Sequence, residues 1–125
     1  MASIEEKTYF QMPEMFCGIW SILSFKTPDG ISGTGQTEDS WHIRPQSITC
    51  GQSKTLIIKQ VETRIEEKQD LHLVSFNNNN VQFAFLRSFS KPDDLLVIQY
   101  LFGEEKLRCL LTGRSDSPNT GSDEK

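Results

Sequence analysis

Two histidines, three cysteines and an arginine set among phenylalanines are where this chain could do chemistry. His42 follows Trp41, and His72 sits between Leu71 and Leu73. An imidazole acts as base or ligand only beside partners, and zinc takes three or four N, S or O ligands. No carboxylate or second histidine lies at ligand spacing from either one. Only convergence in space with Cys17, Cys50 or Cys109 would make them a metal site, so both read as ordinary sheet histidines with no metal. A cysteine nucleophile needs exposure and a lowered pKa. Cys109, within Leu107-Arg108-Cys109-Leu110-Leu111, reads as core, and Cys50 before Gly51 is the more accessible. Glu38 and Asp39, like Glu104 and Glu105, are sequence neighbours whose side chains diverge on a strand, so paired-carboxylate chemistry has no support. Gly30, Gly33 and Gly35 are not followed by Gly-Lys-Ser/Thr, which argues against a phosphate cradle. No catalytic residue and no cofactor follow from these positions. Arg87 is different: it shares strand parity with Val81, Phe83, Phe85 and Phe89, where its guanidinium could hold a ligand carboxylate.

Strands must position these groups. From Phe16 onward the apolar period is two rather than 3.6. Eight candidate strands follow, at 16–25, 36–43, 47–51, 55–66, 70–76, 81–89, 95–102 and 106–112. Thr27-Pro28-Asp29-Gly30 reads as a turn, with Pro fixing φ and Gly free to take φ > 0. Arg44-Pro45, Gln69-Asp70, Asn77 to Asn80, Lys91-Pro92-Asp93-Asp94 and Gly103-Glu104-Glu105 break the remaining runs. Parallel pairing would need crossovers of about a dozen residues, so the strands pair antiparallel in order. Closure into a barrel removes both open edges. Two segments qualify this pattern. Residues 54–68 place Ile57, Val61 and Ile65 four apart, which also suits a helix, while their β-branched density favours a long strand. Ser3 and Glu6 have capping-box spacing, which predicts a short N-terminal helix stopped by Pro13.

Length and charge bound the rest. The 125 residues fit one domain, assigned to 1–114. The tail 115–125 lacks apolar residues and is expected to be disordered. That tail holds a net −2 of the chain's −4, leaving the body near balance. Scattered Lys and Arg argue against nucleic-acid binding. The odd cysteine count and the absence of a signal-peptide layout at Met1–Lys7 imply reduced thiols in the cytoplasm. No apolar run approaches the roughly 20 residues of a membrane span.

Phe16-x-Gly18-x-Trp20, opening the strand that leads to Thr27-Pro28-Asp29-Gly30, resembles the first-strand motif of the calycins, the lipocalin and fatty-acid-binding superfamily. The resemblance implies an all-β, antiparallel up-and-down, lipocalin-like barrel. It further implies that Trp20 closes the base, with a basic residue at the end of the final strand packed across its ring. Arg108 and Arg114 bracket that place, and Arg114 is preferred. A cation–π contact of that kind contributes about 0.5–2 kcal/mol.

One face of each strand would then line a cavity or a filled core, and small barrels do either. The first expectation is an intracellular binder of a small apolar or amphipathic ligand. Phe83, Phe85, Tyr100 and Phe102 would line its pocket, and Arg87 would anchor the ligand. The alternative is a non-catalytic interaction, inhibitor or assembly-factor module that grips a protein partner through loops 26–37 and 77–80. A further alternative on the same scaffold is a lyase-like chromophore-attachment factor, with only His42, His72 and Cys50 to work with.

Overall fold

The computed structural model describes residues 5–34, 40–51, 55–78, 80–91 and 93–115. Ten strands run in chain order: β1 (Glu5–Tyr9), β2 (Gly18–Lys26), β3 (Ser32–Thr34), β4 (Trp41–Ile43), β5 (Ser47–Cys50), β6 (Thr55–Ile65), β7 (Gln69–Phe76), β8 (Val81–Ser88), β9 (Asp94–Leu101) and β10 (Glu104–Ser115). Eight of them close a ring of antiparallel pairs in the order β6-β5-β4-β2-β10-β9-β8-β7, with β7 returning to β6. Consecutive strands pair from β4 to β10, and β10 meets β2 to seal the barrel. The all-β, up-and-down closed barrel expected from alternation is therefore the fold. No helix of the described residues is long and apolar enough to cross a membrane.

The expected N-terminal helix is corrected. Glu5–Tyr9 is a strand, paired with Val61–Ile65 of β6, and the only helical piece among the described residues is a 3-10 turn at Glu14–Phe16. A helix this short nucleates poorly by itself. The lower half of β6 extends beyond its partner β5 and offers an open edge, which β1 fills. Ser3, the proposed cap, lies outside the described residues, as do Arg114's side chain and residues 116–125 of the tail.

The ambiguous segment is a strand over Thr55–Ile65, and a bulge breaks its alternation. A bulge between Ile58 and Gln60 shifts the phase of β6, so that Ile58 and Val61, three apart, both face inward at 7 % and 0 % exposure. Ile57 is left 49 % exposed. Gly33 in β3 also has a packing reason: a Cβ there would lie 2.9 Å from the Phe25 ring.

The interior is filled by the inward residues of all eight ring strands, with Met12 and Phe16 closing the end where β2 begins. Aromatic rings run through it in contact. Trp41 and Phe76 touch Phe83 at 5.6 and 4.9 Å, Phe83 touches Phe85 at 6.3 Å, and Phe85 touches Phe16 at 6.0 Å. Such pairs each add about 0.5–1.5 kcal/mol beyond the area they bury. Trp20, 2 % exposed, donates its indole N–H to the Phe16 carbonyl at 3.0 Å and ties the 3-10 turn to the barrel.

Candidate functional site

Two places concentrate chemistry: a buried polar cluster inside the barrel's lower end, and an apolar face outside it. The cluster comes from register. Pairing of β7 with β8 sets Asp70 opposite Arg87, and pairing of β6 with β7 sets Thr63 opposite His72. Arg87 donates to Asp70 Oδ2 at 2.7 Å, and Thr63 Oγ1 meets His72 Nδ1 at 2.8 Å. Asp70, His72 and Thr63 are 2 %, 1 % and 5 % exposed. Phe16 stands edge-on to His72 at 4.7 Å, and the Arg87 guanidinium lies 5.6 Å from the Phe16 ring and 5.8 Å from the Phe89 ring. Burial alone would push the Asp70 carboxyl up. Its close partners His72 and Arg87 outweigh that and hold it below its ordinary value.

Hydroxyl, imidazole and carboxylate stand here in the order used by nucleophilic triads. Thr63 is buried, however, and Phe16 covers its imidazole partner, so the cluster as it stands is a polar plug. Three of its buried atoms make no hydrogen bond: Asp70 Oδ1, His72 Nε2 and Arg87 Nε. Asp70 Oδ1 and His72 Nε2 are 3.3 Å apart without hydrogen-bond alignment.

The other chemical groups are quieter. Burial, with the charge of Cys109 adding to it, pushes the Cys50 thiol up to about 12, and burial pushes Cys109 to about 11. Both are therefore poor nucleophiles at neutral pH. His42 is half-buried on β4, its pKa lowered by burial and by Arg44. Among the described residues no three His, Cys, Asp or Glu side chains are placed to share a metal ion.

The five residues expected to line one pocket fall into two groups. Phe83 and Phe85, 3 % and 0 % exposed, are packed inside the barrel, and Arg87 on the same side is committed to Asp70. The inward face of β9 is Leu95, Val97 and Gln99, so Tyr100 lies on the outer face. Phe102 is in the β9–β10 turn, 72 % exposed. Both faces of β9 are apolar, and only ring closure decides which one points in.

The outer face is thereby exceptional. Register lines up Leu71, Leu86, Leu96 and Leu110 across β7, β8, β9 and β10. The next row is Leu73, Ala84, Ile98 and Arg108. Ala84 and Ile98 are only 6 % and 8 % exposed although they point outward, because the surrounding side chains cover them. A groove of about 460 Å³ opens over Ala84, walled by Leu71, Leu73, Leu86, Ile98 and Tyr100. A neighbouring groove of about 490 Å³ shares Leu71 and Leu73 and reaches Glu6, Glu62 and Arg64. Sequence reasoning noted apolar residues on both faces of these strands without asking what covers the second one.

No family model, curated protein or solved structure matches this chain.

Proposed function

We propose that the chain is a protein-interaction module: a calycin-like barrel packed by its own side chains, whose working surface is the outer face of β7 to β10. The observation that carries this reading is the four-leucine row on that face. An antiparallel sheet that packs one face on the core ordinarily gives the other to water, with polar residues there. Eight outward residues (Leu71, Leu73, Ala84, Leu86, Leu96, Ile98, Tyr100 and Leu110) at strand and residue spacing cover roughly 250–300 Å². Apolar patches of a few hundred Å² occur on ordinary monomers and are often functional. The Gly18-x-Trp20 opening together with the closed barrel supports calycin kinship, and three free cysteines fit a reducing compartment such as the cytoplasm.

The test is recovery of a stoichiometric protein partner, another copy of the chain included, from the protein's own source. Leu86→Lys is expected to lose that partner at unchanged fold. Ile57→Lys, on β6 and more exposed than Leu86, should keep it. Equal recovery by both variants overturns the proposal.

A second reading, a small ligand inside the barrel, draws on three buried atoms of the polar cluster that make no hydrogen bond, Arg87 Nε and the facing pair Asp70 Oδ1 and His72 Nε2. Such a ligand would be small and polar, accepting from Arg87 Nε and donating to Asp70 Oδ1. Native against denaturing mass spectrometry of protein from its own source decides it, since a bound molecule appears as mass lost on denaturation.

A further inference from the structure

We infer that the groove outside β2, β3, β9 and β10 is a site for a compact amphipathic anion, held between Lys26 and Arg108. Register sets these two cations directly opposite one another, Lys26 on β2 and Arg108 on β10. Cys109, between Arg108 and Leu110, is buried in the interior, so its two neighbours face outward. Like charges facing each other across two strands destabilise a sheet. Arg108 commits Nε and Nη2 to Glu105, at 2.7 and 3.0 Å, which leaves Nη1 free. Lys26 has no ion-pair partner among the described residues. Two cations thus share one carboxylate, in a chain whose net charge is −4. An anion seated between them relieves their repulsion.

The surroundings fit an anion that carries an apolar group. On the β9 side, Ile98 stands opposite Arg108, and Leu96 opposite Leu110. On the β3 side, Ser32 stands opposite Lys26, and Thr34 opposite Ser24. The groove over this grid holds about 580 Å³, within the range of small-molecule sites. Leu96 and Leu110 line one part of it, and the hydroxyls of Ser24, Ser32 and Thr34 another. Among the described residues none of these hydroxyls has a protein partner, so all three are open to a ligand.

The grid also sets the size and kind of the ligand. Facing residues have Cβ atoms about 5 Å apart, and two residues along a strand span about 7 Å. One charged group therefore reaches both cations while an attached ring system lies over the two leucines. That spacing selects an aryl carboxylate, sulfonate or phosphate ester. A peptide is disfavoured, because β2, β9 and β10 are each paired on both sides and offer it no main-chain groups. The site borders the leucine row and shares Leu96 and Leu110 with it, but it needs no protein partner. A bound anion covers those two leucines and competes with any partner of the row.

Fluorescence titration of the full chain with anilinonaphthalene sulfonate, an aryl monoanion, tests this. The wild type should bind it saturably. Phenylnaphthylamine, the same rings without the sulfonate, should bind about tenfold more weakly. Lys26→Met keeps the apolar stem and should weaken sulfonate binding about tenfold, the effect of one lost hydrogen bond to a charged group. Lys26→Arg should retain it. The absence of saturable binding to the wild type overturns the inference. So does equal affinity for the two probes, or sulfonate binding unchanged in Lys26→Met. Leu86→Lys separates that failure from failure of the leucine row as a docking surface. Probe binding that ignores Lys26→Met but is lost on Leu86→Lys leaves the row standing. Binding of neither probe, or binding indifferent to both substitutions, counts against the row as well.

Discussion

Removing the Arg87 guanidinium leaves the Asp70 carboxylate, 2 % exposed, without its cation. Breaking a buried pair from one side costs about 3–5 kcal/mol, because the remaining charge is stranded. Arg87→Ala is expected to lose stability on that scale in urea denaturation, and Asp70→Asn combined with Arg87→Met to recover part of it. Asp70 also sets a pH dependence. Its folded pKa lies below the unfolded value of about 3.9, so its contribution is complete above that pH and is lost as pH falls through the folded value. A thermal midpoint followed from pH 7 to pH 2 should fall below about pH 4, and Asp70→Asn should flatten that limb. The cluster left a trace in the sequence. Asp70 and His72 share parity with the inward Val74 and Phe76, and Arg87 shares it with Phe83 and Phe85. Polar residues of opposite charge on the apolar parity of neighbouring strands were the signal. Taking Gln69-Asp70 for a turn hid it.

At the scale of elements, β1 and β6 depend on one another. Residues 5–9 were not legible as a strand, because five residues carry too little period to exclude a helix and their partner is over fifty residues away. Deleting residues 1–10 should expose the edge at Val61–Ile65. Amide exchange there is expected to accelerate, and the melting temperature to drop by about 3–6 °C for each kcal/mol lost. Unchanged exchange at 61–65 would show that β1 contributes no protection. In β6 the spacing of Ile57, Val61 and Ile65 that also suited a helix is not a buried stripe, since Ile57 faces out, while a bulge brings Ile58 and Val61 inward three apart. Seven of the eight expected strands match observed ones closely; of 36–43 only Trp41–Ile43 is seen as strand, and 36–39 lie outside the described residues. Only β1 and β3 are additions, and both are short branches on longer ring strands.

For the whole molecule, a packed interior makes a definite prediction. Phe83 touches Trp41, Phe76 and Phe85, so Phe83→Ala should cost about 3–5 kcal/mol and open a cavity. Urea denaturation gives the loss, and uptake of a small apolar probe by the variant but not the wild type reports the void. A wild type that already takes up the probe internally would favour the ligand reading over the packed barrel. Alternation and turn chemistry in the sequence were sufficient for an antiparallel, up-and-down, closed all-β fold, because period-two patterning and short connections permit little else. They could not decide which face of β9 points inward, since both of its faces are apolar. Curvature on closing the ring broke that symmetry. It drew Phe83, Phe85 and Arg87 into the barrel beside Asp70 and left the leucine row, Tyr100 and Phe102 on the outside.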